Sequence, residues 1–318
     1  MNLKISGKKV VVFGGTVFIG SHLVSGLCKE ACQVDIITRS NKRKLDFFLG
    51  NEPGQVRIKK INSFTKDNID SLINGADIVF NLIGILYESK QSSFKNVHVE
   101  IPKELASSAI RLGVSNFVHL SALNIDKSRN SFYSNSKLLG ESAIKEKFPN
   151  AIIVRPSVVF GKGDNFINFF YSLSKISPIL PIIGTPGIID KNRFFPKIDF
   201  RKRVRFQPIY VGDLVDFLVK TCTLKKKFFE LAGPTIQTFD QIYDVILRMK
   251  GKKRLYLPLP FFVARTLAFF LELFPEPPLT RDQIRLLMVD NISSKGLMNL
   301  KEFVKVPSSL HTIIGSYL

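Results

Sequence analysis

Tryptophan is absent from the 318 residues, and cysteine occurs only three times. Three thiols cannot build an even disulfide framework, so the core must hold the fold, and a reducing compartment fits. Cys28 and Cys32 stand four apart on a predicted helix, outside the C-x-x-C spacing, and read as small buried apolar residues. Acidic residues are scarce as well: 26 Asp and Glu face 46 Lys and Arg, a formal charge of +20. A field of that sign favours anionic partners such as an anionic membrane surface, an acidic protein or a phosphorylated ligand. Nucleic acid is the weakest of these options, because no aromatic-interleaved basic motif is present. Long apolar runs are missing too. No uninterrupted stretch approaches eighteen residues, which leaves no candidate membrane span. The N-terminus shows neither a secretory apolar region nor an Arg/Ser-rich presequence. No metal site is assigned.

What is present is an alternation of short apolar runs and helical patterns. Lys8–Phe13, Gln33–Thr38, Val56–Ile61, Ala76–Ile83, Asn116–Ser121 and Ala151–Arg155 read as strands. Helical patterns fill the intervals, from Ile19 to about Lys29 and over Asp67–Ile73, Ser93–Leu112 and Tyr133–Phe148. Such alternation predicts right-handed βαβ units and a doubly wound parallel sheet, an α/β Rossmann-type class. After Pro156 the pattern loosens. Asn165–Ser174 reads as a helix, Pro178, Pro181 and Pro186 read as chain breaks, and Lys191–Arg205 is a basic, aromatic, irregular run. Phe206–Tyr210 and Lys227–Leu231 read as strands; Val211–Thr221, Phe239–Met249 and Pro260–Phe274 read as helices. Residues 1–160 with a return segment 206–232 are therefore expected to form the dinucleotide-type domain. Residues 161–205 and 233–318 are expected to form a smaller lobe for substrate or interaction.

The run Gly14-Gly15-Thr16-Val17-Phe18-Ile19-Gly20 lies between the first strand and the first helix. Gly14 permits the tight turn, and Gly20 permits close helix–strand packing. The helix N-terminus offers N–H groups and a positive dipole end to a pyrophosphate. The expected middle glycine is Val17, whose side chain is expected to crowd the phosphate. At the end of the second strand, where an acid would bond the ribose hydroxyls, stand Thr38, Arg39 and Ser40, with Lys42 and Arg43 after them. A guanidinium beside a hydroxyl suits a 2′-phosphate, so NADP(H) is favoured over NAD(H). Asp35 is mid-strand, too early to serve.

Tyr133 and Lys137 are four apart on one predicted helix and share a face. A neighbouring ammonium is expected to lower the phenol's pKa and let Tyr133 exchange a proton. Ser121 ends the fifth strand, where a hydroxyl can orient a substrate oxygen.

These residues resemble the extended short-chain dehydrogenase/reductase superfamily. The blocks Asn81–Glu88, Val97–Val99, Ser121–Leu123, Tyr133–Lys137, Arg155–Gly161, Arg205–Asp213 and Leu279–Gln283 are similar, in order, to the complex I nucleotide-binding accessory subunit family (alpha subcomplex, subunit nine) and its bacterial relatives. That resemblance implies a bound NADP(H) of mainly structural or redox-sensing role. It implies complex I subunits or quinone-region lipids as neighbours. By the superfamily pattern Ser121, Tyr133 and Lys137 match the catalytic positions. The nucleotide set would be Gly14, Thr16, Val17, Phe18, Ile19, Gly20, Arg39, Ser40, Asn62, Leu82, Gly84, His98, Tyr133, Lys137 and Pro156. His98 stands where many extended members carry Asn, and Asn62-Ser63 replaces the usual Asp-hydrophobic pair beside adenine. The basic stretch from about Gly187 to Arg203 looks like an insertion.

Three readings stay open. One is an accessory-type nucleotide-binding protein, cytoplasmic or peripheral on the inner face of a bacterial inner membrane. The second is a free-standing NADP-dependent reductase or epimerase. The third, resting on Val17, is a nucleotide-free scaffold. The Phe/Leu-rich segment Pro260–Phe274 reads first as a core helix of the smaller lobe, with docking on a membrane or membrane partner as the alternative.

Overall fold

The computed structural model describes residues 5–39, 52–185, 203–225 and 227–318, with 187–190 and 197–199 as backbone. Its centre is a seven-stranded parallel sheet. β1 (Lys9–Phe13) leads through α1 (Phe18–Lys29) to β2 (Gln33–Thr38) and then to β3 (Val56–Lys60). α2 (Lys66–Ile73) returns the chain to β4 (Ile78–Asn81), α3 (Ile101–Arg111) to β5 (Asn116–Leu120), and α4 (Phe132–Lys147) to β6 (Ile152–Pro156). Further on come β7 (Val159–Phe160), α5 (Phe166–Ile176), β8 (Ile179–Ile183), β9 (Gly187–Asp190), β10 (Lys197–Asp199), β11 (Arg205–Phe206) and β12 (Ile209–Tyr210). After these run α6 (Val211–Thr221), β13 (Phe228–Leu231), β14 (Gln237–Thr238), α7 (Phe239–Met249), β15 (Leu255–Leu259), α8 (Phe261–Leu271), α9 (Arg281–Leu287), α10 (Gly296–Lys301) and α11 (Leu310–Ile313).

The strand order is β13-β6-β5-β4-β1-β2-β3. From β1 the chain builds outward to β3, then crosses back to start the other half at β4. The crevice between β1 and β4 is thus the topological switch point, where folds of this class bind ligands. Val, Ile and Phe fill the buried strands because both faces are covered. Val10, Val12, Leu23, Leu27 and Phe217 pack on the α1/α6 side, and Val11, Phe13, Ile69, Leu105 and Ile144 on the α2/α3/α4 side. A third apolar cluster belongs to α5, α7, α8 and α9, with Phe170, Phe206, Phe239 and Tyr243 meeting edge-on.

Several sequence expectations are corrected here. α1 ends at Lys29, so Cys32 lies beyond the helix. Ala31, at φ 56°, closes it with bonds from its own N–H to the Cys28 carbonyl and from Cys32 N–H to Leu27, a Schellman closure. All three thiols are free and buried, and burial pushes Cys28 and Cys32 up to about 11. The expected strand Phe206–Tyr210 is split at Pro208. Phe206 pairs with Gln237, while Ile209 pairs with Val159. Pro178 does separate two elements, α5 and β8, but Pro181 does not break the chain: β8 runs through it and pairs in parallel with β15; Pro186 lies outside the described residues. Part of the basic run is regular, since β9 and β10 pair antiparallel; 191–196 and 200–202 lie outside the described residues.

Pro260–Phe274 is not a core helix. Only Ala264 and Ala268 of α8 are buried, while Phe262 is 72% exposed, Phe270 57% and Leu273 78%. The two alanines form one narrow seam at i, i+4, with Phe261 packed beside it, and Phe262, Val263, Leu267, Phe269 and Phe270 are left outside. No helix among the described residues is long and apolar enough to cross a membrane.

Candidate functional site

The Gly14–Gly20 turn is built by exclusion. Gly14 sits at φ +83°, and a Cβ there would lie 3.3 Å from the Leu82 carbonyl carbon, so the turn is pressed against the end of β4. A Cβ on Gly20 would lie 2.1 Å from the Gly14 carbonyl oxygen, which explains why the first turn of α1 needs glycine at that point. Val17 is the extended residue before α1 and is 59% exposed. Its side chain cannot accept a hydrogen bond, and α1 has no side-chain cap. The leading N–H groups of that helix therefore suit an anion in place of a cap. The Thr16 and Thr38 hydroxyls are 3.4 Å apart, which ties the turn to the end of β2. Phe18 and Ile19 are partly buried at the helix start. Arg39 is exposed just beyond β2, and Ser40 lies outside the described residues. Asp35 is fully occupied elsewhere, with Arg57 and Lys59 each 2.9 Å from its carboxylate.

Beyond β4 and β5 a second group converges. His98 does not lie on a regular α-helix: Asn96–Glu100 is a π-turn in front of α3, where the sequence suggested one helix over Ser93–Leu112. Pro102 supplies the reason. It has no N–H for the His98 carbonyl four residues back, and its ring would clash with that carbonyl. The His98 ring is fixed at both nitrogens. Nε2 accepts from Ile85 N–H at 3.1 Å, so Nδ1 carries the proton and donates to Ser136 Oγ at 2.8 Å, which in turn donates to the Tyr133 carbonyl. Phe94 stacks on the ring at 5.3 Å, and Tyr133 meets it edge-on at the same separation. Burial, followed by the Lys137 charge, pulls His98 down to about 3.

Lys137 is buried, and its ammonium donates to the Leu120 carbonyl at 3.3 Å. Burial pulls it down to about 8. A Cβ on Gly84 would come 3.3 Å from Lys137 Nζ and 3.8 Å from His98 Nε2, so the three positions share one small space. Among the described residues, Ser121 Oγ is buried with no hydrogen-bond partner, as is His119 Nε2, whose ring is held by Asn81 through Nδ1 at 3.1 Å. Leu82 is partly buried beside the turn, Asn62 is exposed after β3, and Pro156 is buried at the end of β6. One chemical expectation is overturned. Tyr133 is pushed up to about 12 by burial, and Lys137 does not lower it. The ammonium is engaged at Leu120 instead, so the phenol holds its proton throughout the neutral range.

Asp282 has a role that the sequence did not disclose. Its carboxylate accepts from Ser131 Oγ at 2.8 Å and from the backbone N–H groups of Phe132 at 2.9 Å and Tyr133 at 3.0 Å. The start of α9 thereby caps the helix that carries Tyr133 and Lys137. The Thr280–Gln283 capping box marks the start of α9, but nothing in it names a partner 150 residues away.

The buried neutral imidazoles set a pH dependence. Folded His98 has a pKa below its ordinary 6.5, and folded His119 lies well below it too, so the unfolded chain binds more protons as pH falls. Their stabilising contribution is complete above pH 6.5 and is lost progressively towards pH 3, at about 1.4 kcal/mol per pH unit per group. Urea midpoints are expected to fall from pH 7 to pH 4.5, with a shallower fall in His98→Asn. An equal fall in that variant would remove His98 from the account.

Residues 6–147 match the model of the NmrA-like family. Over 311 residues, 96% of this chain and 78% of the relative, the sequence is 28% identical to the NADH dehydrogenase [ubiquinone] 1 alpha subcomplex subunit 9, mitochondrial, of Mus musculus. A ceramide reductase of Caulobacter vibrioides is 28% identical over 175 residues, covering 55% of this chain and 54% of that protein. Among solved structures, the triphenylmethane reductase of Citrobacter sp. complexed with NADP(H) superposes with a TM-score of 0.72 at 14% identity, covering 97% of this chain and all of that one. These likenesses agree with a Rossmann-type fold.

Proposed function

From the premise that the chain resembles the short-chain dehydrogenase/reductase superfamily and, over nearly its whole length, the complex I alpha-subcomplex subunit 9 proteins, we propose that it is an NADP(H)-binding protein of the accessory-subunit type. In this reading the nucleotide is chiefly structural or redox-sensing, and the protein sits peripherally at a membrane. The observation that carries the proposal is the switch-point crevice. An uncapped helix start and a glycine turn at β1 face a β4–β5 edge with a buried, unpartnered Ser121 hydroxyl. A buried polar atom without a partner costs about 1–3 kcal/mol unless a ligand or water supplies one. The residues present thus fit a dinucleotide. Gly14, Thr16, Val17, Phe18, Ile19 and Gly20 would hold its pyrophosphate, and Arg39 and Ser40 a 2′-phosphate. Asn62, Leu82, Gly84 and Pro156 would border it, with His98, Tyr133 and Lys137 at the reactive end. Val17 is exposed and leaves the helix start accessible, which weighs against the scaffold reading.

The preference for NADP(H) rests on Thr38, Arg39 and Ser40, which stand at the end of β2 with no carboxylate among them. Asp35 lies mid-strand and is tied to Arg57 and Lys59. Isothermal titration of protein first stripped of bound nucleotide, with NADPH and with NADH, is expected to show one saturable site, with NADPH the tighter ligand. No heat from either would overturn the reading.

Membrane attachment is assigned to α8, an apolar face on a chain of charge +20. Wild-type protein is expected to float with vesicles containing phosphatidylglycerol, less so in high salt. The double variant Phe262→Ser/Phe270→Ser is expected to stay behind. Flotation by both would remove α8 from the account. A complex I association would then be read from co-purified subunits.

The second reading, a reductase with its own substrate, is favoured by one observation: an open cleft shares a wall with Tyr133. When bound, the nucleotide would supply the hydride. Tyr133 would deliver its held proton to the carbonyl oxygen, Ser121 would orient that oxygen, and the Lys137 ammonium would balance the phenolate left behind and hold the ribose.

A further inference from the structure

A cleft of about 430 Å³ opens where the chain after β4 meets the start of α4 and the turn from α8 to α9. Phe94 forms part of its wall and is the same ring that stacks on His98 and meets Tyr133 edge-on at 6.1 Å. Tyr87 and Phe132 add two more aromatic surfaces.

The charges in the cleft divide into those already committed and one that is not. Glu88 accepts from Phe94 N–H at 2.7 Å. Glu272 takes both the backbone N–H and the guanidinium of Arg281, at 2.6 and 2.7 Å. Asp282 caps α4. Arg285 is different. Its guanidinium lies 5.2 Å from the Phe132 ring centroid and makes one long contact, 3.4 Å, to Asp282. A guanidinium carries five N–H donors, so most of its capacity is unspent among the described residues. It lies over an aromatic ring with its remaining N–H groups free, among the described residues, for a bidentate acceptor, a carboxylate or phosphate. The rim of the cleft at Glu272 continues directly into Leu273 and Phe274, exposed by 78% and 61%, at the end of α8.

We infer that the cleft takes an anionic amphiphile: its carboxylate or phosphate on Arg285, its first apolar atoms between Tyr87, Phe94 and Phe132, its chain leaving over Leu273 and Phe274. The volume suits a head and part of a chain, not a whole two-tailed lipid, so most of the chain lies on the helix. This inference rests on the proposed function only in using the wall shared with Tyr133; binding itself needs no nucleotide.

The absence of tryptophan supplies the probe. Phe132 is 65% exposed, so Phe132→Trp places a single indole in the wall without disturbing the core. Titration of this protein with 1-oleoyl lysophosphatidic acid, below its micellar concentration, is expected to give a saturable change in emission. Adding Arg285→Met is expected to weaken binding about tenfold, the loss of a charge-assisted bond. Monoolein, with the same chain and no charge, is expected to bind weaker by a similar factor, and millimolar inorganic phosphate is expected to leave the emission unchanged. Three results would overturn the inference: no saturable change, equal affinity with and without Arg285, or an equal response to inorganic phosphate. A matching melting temperature in the Arg285→Met protein separates lost binding from lost folding. Nucleotide content is measured on the same samples. Protein that binds the lysolipid but yields no nucleotide contradicts the proposed function alone; the reverse contradicts only the cleft assignment.

Discussion

Gly140→Ala is expected to destabilise the protein by roughly 3 kcal/mol or more, or to leave it insoluble, although the same change in an exposed helix would stabilise it by about 1 kcal/mol. The sign is decided by one distance. A Cβ at position 140 would lie 1.9 Å from the His98 carbonyl oxygen, a backbone atom that cannot move aside like a side-chain tip. The contact follows from Pro102. Without a proline N–H, the His98 carbonyl has no helical donor four residues on, and the π-turn presses it against α4. The same contact fixes the spacing between the helix carrying His98 and the helix carrying Tyr133 and Lys137. A denaturant melt of the purified variant reads the loss. A midpoint at or above that of the wild type would mean that the two helices are not in such contact.

Asp282→Ala is expected to cost about 2–3 kcal/mol, for it removes a charged acceptor of two backbone N–H groups and one hydroxyl at a helix start. For a chain of this size the melting temperature should drop by roughly 3–5 °C. Asp282→Asn keeps an acceptor and loses the charge, so a smaller drop is expected. The carboxylate reaches Tyr133 through that residue's own N–H, and nucleotide affinity should weaken together with stability. A variant that melts like the wild type would show that α9 does not clamp α4.

Much of the parallel sheet was legible because its signals are local. A strand buried on both faces reads as a run such as Val10-Val11-Val12-Phe13, and glycines at 14 and 20 announce the turn. The Tyr133–Lys137 spacing placed both residues on one helix for the same reason. What escaped depends on contacts distant in sequence. Pro208 splits the five-residue segment Phe206–Tyr210 because its two halves answer to different partners, Gln237 and Val159. β8 and β15 pair across more than 70 residues, and no local pattern rich in proline suggests that. α8 has the composition of a core helix, and only its neighbours determine that two alanines and Phe261, not Phe262, Phe269 or Phe270, face inward. The expected lowering of the Tyr133 pKa failed on the same ground. Helical spacing gave the neighbour, but burial and the Leu120 carbonyl decide the proton.

The central claim, a nucleotide held at the switch point between β1 and β4, is tested most directly by what the protein carries when it is purified. Denaturing a weighed amount and identifying the released small molecules by mass spectrometry is expected to yield close to one equivalent of NADPH or NADP. Protein that releases no dinucleotide, and takes up none when it is supplied, would contradict the account.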